Sequence, residues 1–194
     1  MSATLERGFK SWAERTAASL RTELSLSPRE RLDPHQLAAY LQVELRTPYD
    51  IPGLSAQTKH QLLEVDPSGW SAVTIQKGQT ALIIYNPKHS PGRQASDITH
   101  ELAHLILGHR ATTMIMSQDG QMVMRSYDQK QEDEANWLAW VLLLPREGLL
   151  YYRKQKRLTA AEIAQSFGVS EQLVSYRLRI TGVDAQIRAT GRFH

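Results

Sequence analysis

The chain has 194 residues, 41% hydrophobic and 22% charged, enough to bury a substantial core in one domain with a small appendage. With no cysteine it can form neither a disulfide nor a Cys-based zinc site, so His, Asp and Glu are the side-chain ligands on offer. The net charge is only +3 but unevenly placed, with Arg153, Lys154, Lys156 and Arg157 in one run that reads as a solvated face or basic linker. No charged start leads into an apolar signal segment, and the longest apolar run, Trp137 to Leu144, is too short to cross a bilayer. A cytoplasmic protein without a membrane span is therefore expected.

Residues 5–25 have helical composition. Asp33 and Pro34 then form an N-cap and first turn that predict a second helix to about Glu44. Pro48, Pro52, Gly53, Pro67 and Gly69 punctuate an irregular stretch, after which 70–75 and 80–85 read as two strands of a hairpin around Lys77-Gly78. The strand ending at Tyr85 is nominated as the edge on which an extended peptide could add. A loop from Asn86-Pro87 to Pro91-Gly92 leads into a helix from about Arg93.

That helix carries His100-Glu101-Leu102-Ala103-His104. Residues four apart share a helical face, so both imidazoles can reach one ion while Glu101 sits beside them as a base for a metal-bound water. Gly108, with His109 and Arg110, reads as the helix stop. A third histidine ligand from the same segment fails: Leu107 and Arg110 stand where that pattern needs Gly and His, and His109 lies about half a turn off the ligand face. His109 is accordingly read as a surface or cap residue. The third ligand is sought on the next helix, Glu132 to Leu144. There Glu134 shares a face with Trp137, Leu138 and Val141, whereas Glu132 points elsewhere, so periodicity selects Glu134. The bland reading of Glu134 is an acid favouring the helix N-terminus. Tyr85, His89, His109 and Tyr127 are candidate oxyanion donors, and Asp133 and Asn136 candidate partners of the histidines.

Thr159-Ala160-Ala161-Glu162 has the form of a capping box. With Gly168 as a turn and Ser170 as a second N-cap, the segment has helix-turn-helix grammar. The second helix would expose Glu171, Gln172, Ser175, Tyr176, Arg177 and Arg179, with little positive charge near its start, so DNA contact through residues 158–181 is an open alternative to packing or docking.

Taken together, His100-Glu101-Leu102-Ala103-His104, Glu134-Ala135-Asn136 and Leu142-Leu143-Leu144-Pro145 resemble the ImmA/IrrE metallo-endopeptidases, over roughly residues 70–182. Ala103 departs from the usual Gly, and Trp137-Leu138 from the usual aromatic placement. The expected fold is α+β and mainly helical: an N-terminal helical segment (1–60) on which the resemblance is silent, a gluzincin-like zinc peptidase core with a short β-sheet (61–152) and a helix-turn-helix-like domain (153–182), both implied by the resemblance, and a tail (183–194). The resemblance also implies Zn2+ on His100, His104 and Glu134, Glu101 as catalytic base, and a helix-turn-helix transcriptional repressor as protein substrate in a mobile-element or stress response. The alternative is a DNA- or partner-binding regulator whose zinc site is sensory or structural. A structural site would close all four positions with protein ligands.

Overall fold

The computed structural model describes residues 5–78, 80–109, 114–116, 122–124 and 128–190. The fold is α+β and mainly helical. Helix α1 (Phe9–Glu23) and α2 (Pro34–Tyr40) precede strand β1 (Val43–Arg46) and α3 (Ala56–His60), which a π-turn extends through Val65. Strands β2 (Ala72–Lys77) and β3 (Thr80–Tyr85) lead to α4 (Pro91–Ile106), a small hairpin of β4 (Met114–Met116) and β5 (Met122–Met124), and α5 (Gln129–Leu143). Helices α6 (Arg146–Leu150), α7 (Ala160–Phe167), α8 (Glu171–Ile180) and α9 (Val183–Thr190) complete the chain. Among the described residues no helix is long and apolar enough to cross a membrane.

Local chemistry accounts for many boundaries. Asp33 accepts from His35 N–H ahead of Pro34, Asp128 accepts from the amides of Lys130 and Gln131, and Thr159 and Glu162 form the expected capping box. Gly168 at φ 68° closes α7, and Ser170 accepts from Leu173 N–H to open α8. Helix α2 stops before Glu44, because Gln42 turns into the left-handed region at φ 57° and the chain continues as β1. This strand pairs in parallel with β3, Val43 opposite Ala81 through Arg46 opposite Ile84.

The sheet order is β1-β3-β2, with β2 and β3 antiparallel. The strand ending at Tyr85 is thus central and has both edges paired, which corrects its nomination as a peptide-binding edge. Among the described residues the open edge next to the histidine helix belongs to β2. The nomination failed because the parallel partner β1 arrives from a distant segment, and long-range pairing leaves no local signature.

Helix α5 is buried on more than one side. Ala135, Trp137, Leu138, Ala139, Val141, Leu142 and Leu143 are all in the core, where α5 packs against α4 and α1. Pro145 ends it inside the protein, leaving carbonyls that need donors. Two buried arginines supply them. Arg21 of α1 donates Nη1 to Leu142 O at 2.7 Å, and Arg177 of α8 donates Nε and Nη2 to Leu144 O at 3.2 and 2.9 Å. Arg177 also meets Glu14 Oε1 at 2.9 Å and is 0% exposed. It is therefore unavailable as a surface cation, a correction to the expected exposed face of α8; Arg179 on the same helix is exposed. Ile163, Phe167, Val174 and Leu178 of the helix pair share one continuous hydrophobic cluster with Leu142, Leu143 and Leu144.

Candidate metal centre

Helix α4 places His100 and His104 one turn apart with their rings edge-to-face at 4.7 Å. Their Nε2 atoms are 3.1 Å apart, and both face the carboxylate of Glu132, at 3.3 Å from His100 and 3.4 Å from His104. One ligand atom from each residue lies within 4.8 Å of the others, so the trio can hold a metal ion. The distances fit the group: a tetrahedral ion with bonds of about 2.0–2.1 Å keeps its ligand atoms about 3.3 Å apart. Two imidazoles and one carboxylate also make a donor set suited to zinc, with three protein groups among the described residues rather than four.

The carboxylate that faces the two imidazoles is Glu132, whereas the periodicity argument had placed Glu134 on that side. Glu134 instead accepts from or pairs with His109, whose Nε2 is 3.2 Å from its Oε2. The reason is the double packing of α5. Lys10 of α1 sits 4.3 Å over the Trp137 ring, so the Trp137 side turns towards α1, while Glu132, facing both imidazoles, turns its own side, which Asn136 shares, towards α4. A helix apolar on two sides gives periodicity no unique face. The small side chains Ala135 and Ala139 were the available signal, since they mark the side where another helix can approach closely. Asp133 takes no part and accepts from Gln129.

Electrostatics follows from this crowding. Burial, reinforced by the neighbouring His100, pushes the His104 pKa down to about 4, so His104 is neutral and able to donate a lone pair near pH 7. Burial also opposes charge on His100, but the Glu132 hydrogen bond and the charge of Glu101 outweigh it and raise its pKa. Glu132 is correspondingly held low, chiefly through its bond to His100. Glu101 is raised by burial, partly offset by Thr74, whose hydroxyl donates to Glu101 Oε2 at 2.5 Å. Thr74 lies on the open-edged strand β2 and escaped the sequence reading, because a lone strand threonine carries no motif.

The other candidates are engaged elsewhere. Tyr85 packs edge-on against His35 at 5.9 Å, on the α2 side. His89 is only 6% exposed and bonds Asp97 at 2.8 Å. Asn86 beside it clamps the loop, donating to the carbonyls of Pro67 and Trp70 at 2.6 and 3.1 Å. His109 is half-buried behind His104, and its N–H bonds His104 O in the turn that caps α4, so it is the cap residue expected and not a surface one. Tyr127 and Arg110 lie outside the described residues.

The IrrE N-terminal-like domain of peptidase family M78 matches residues 57–179. No curated protein matches the chain. Among solved structures a Mycobacterium tuberculosis transcriptional regulator is similar, at 17% identity and a TM-score of 0.52, over 91% of this chain and 48% of that one. The chain spans about half the length of that regulator, and at this identity the likeness is one of fold. The family match runs from α3 through most of α8, taking in the open strand, the histidine helix and the helix of Glu132. On that match the chain belongs to the IrrE N-terminal-like family of M78 peptidases.

Proposed function

We propose that the protein is a zinc endopeptidase of gluzincin-like type, acting in the cytoplasm, which cuts a helix-turn-helix transcriptional repressor at one or a few bonds in a mobile-element or stress response. The observation that carries this reading is the convergence of His100, His104 and Glu132 with Glu101 beside them and the open edge of β2 alongside. His100, His104 and Glu132 would hold the ion. Zinc bound there supplies Lewis acidity towards a scissile carbonyl and brings the pKa of its water towards 7.

The chain's own residues do the rest. Glu101 accepts a proton at its carboxylate and returns it to the leaving amine. Thr74 occupies Oε2, which leaves Oε1 as the free acceptor and keeps the buried carboxylate ionisable. Among the described residues the outer edge of β2 has no strand partner, so its backbone N–H and C=O groups are offered to an extended peptide with little demand on side chains. Selectivity would then come from surfaces beyond the cut segment, suiting a folded partner. A general base beside the cluster, Glu101, favours this reading over a structural or sensory zinc site, as does the finding of three candidate protein ligands among the described residues.

The test is incubation of the full chain with a helix-turn-helix repressor encoded beside its gene, followed by intact-mass spectrometry. A discrete cut that zinc restores, a chelator removes and Glu101→Gln does not make is the expected result. Digestion of unfolded proteins at large, with the repressor untouched, would remove the regulatory part of the reading and keep the peptidase part.

A further inference from the structure

We propose that His109 and Glu134 act as a positioning relay behind His104, fixing the tautomer and ring orientation in which its Nε2 faces the metal; this rests on the metal-centre reading above.

The backbone brings His109 to that place. Helix α4 ends in a Schellman turn: Gly108, at φ 66°, donates N–H to Leu105 O at 3.1 Å, and His109 N–H donates to His104 O at 3.0 Å. The left-handed residue is one that only glycine adopts freely, and it folds the chain back so that the His109 ring meets the His104 ring at 5.1 Å. His104 Nδ1 and His109 Nδ1 are then 3.0 Å apart, and His109 Nε2 is 3.2 Å from Glu134 Oε2. His109 and Glu134 are 9% and 13% exposed, more sheltered than the imidazole they support.

Proton counting leaves one consistent arrangement for neutral imidazoles. If His104 presents the Nε2 lone pair to a metal, its Nδ1 carries the hydrogen and donates to His109 Nδ1. His109 must then carry its hydrogen on Nε2, where the Glu134 carboxylate accepts it. The opposite tautomer of His109 would oppose two N–H groups at 3.0 Å and turn a lone pair towards a carboxylate. Glu134 thus selects the His109 tautomer, and His109 selects that of His104. Lys130 Nζ, 3.9 Å from Glu134 Oε1, engages the other oxygen of the anchor. Two glutamates of α5 therefore act on one centre at two depths, Glu132 directly and Glu134 through two imidazoles.

Zinc affinity, measured by competition with a chromophoric chelator, tests the relay without reference to catalysis. His109→Phe keeps a ring but removes both nitrogens, and should weaken Zn2+ binding about 10–100-fold, the usual effect of removing a ligand's hydrogen-bond partner. Glu134→Ala should weaken it similarly, whereas Glu134→Gln keeps an acceptor oxygen and should recover most of the loss. In the unmodified protein, 15N NMR of the imidazoles should show His104 protonated on Nδ1 and His109 on Nε2, a readout that survives even if a variant folds poorly. Wild-type affinity in His109→Phe, with Glu132→Ala impaired, overturns the relay alone, as does the opposite His109 tautomer. Undiminished zinc binding in Glu132→Ala overturns the ligand set itself, and the relay's purpose with it.

Discussion

Replacing Arg177 separates two views of the C-terminal helix pair. The guanidinium is fully buried, and its Nε and Nη2 are the donors to Leu144 O at the end of α5. Arg177→Ala leaves that carbonyl buried and unsatisfied, which costs about 1–3 kcal/mol. Glu14 is 32% exposed and can rehydrate, so losing its charge-assisted bond adds only about 1 kcal/mol, and the void left by the side chain adds more. The sum is about 3–5 kcal/mol, most of it from the unsatisfied carbonyl and the void. For a chain of this size that lowers the melting midpoint by about 6–20 °C. Arg179→Ala, on an exposed position of the same helix, should stay within about 0.5 kcal/mol of the parent. Thermal melts followed by circular dichroism, alongside duplex-DNA titrations at low salt, read both effects. If Arg177→Ala melts like the parent and selectively loses DNA affinity, the guanidinium is a surface contact and the reasoning fails.

Glu101→Gln should retain zinc by atomic absorption and lose about 10²–10⁴-fold in peptide hydrolysis, since the amide preserves shape without basicity; loss of the metal would make Glu101 a ligand instead. Glu132→Ala should reduce zinc affinity by about 10²–10³-fold, a quarter share of the free energy of a four-ligand zinc site, and His100→Ala or His104→Ala should do at least as much. Zinc affinity should rise about tenfold per pH unit up to the raised pKa of His100 and level off above it, because His100 is the imidazole that must surrender a proton while His104 is already neutral down to about pH 4. Calorimetry in buffers of different ionisation heat, at a pH well below the pKa of both His100 and a metal-bound water, should count about one proton released per ion, and two there would contradict the neutral state of His104. Hydrogen exchange at residues 72–77 should slow when a substrate peptide binds the Glu101→Gln variant; protection confined to other strands would move the peptide off the β2 edge.

What was legible in the chain was local. The histidine pair and Glu101 follow from spacing along one helix, and the turns at Pro34, Gly108, Thr159 and Ser170 follow from capping chemistry, because each depends on residues within a few positions of one another. The misses are long-range. Strand β1 exists because β3 is there to pair with it, and that pairing turns β3 from an edge into the sheet's centre. Glu132, and not Glu134, faces the two imidazoles because α5 is packed by α1 on one side and α4 on another, so apolar periodicity is present on both. Arg177 read as a surface cation by type, yet the broken end of α5 at Pro145 creates a buried demand for donors that only a distant side chain can meet.

The same demand explains how the C-terminal helices serve a site they do not touch. Glu132 stands in the first turn of α5, while Leu142 and Leu144 mark its other end, about 15 Å away along a rigid rod. A metal ligand must be held to within about 0.5 Å, so an α5 free to shift along its axis would spoil the Glu132 contact with both imidazoles. Arg21 from α1 and Arg177 from α8 grip that far end through directional bonds to its carbonyls, and Asp128 caps the near end. The positive charge of the two guanidiniums also complements the negative end of the helix dipole, inside the core where solvent screens it little. On the proposed ligand set, helix α8 consequently has a duty to the metal centre that DNA reading neither requires nor explains, and it discharges it through the buried Arg177.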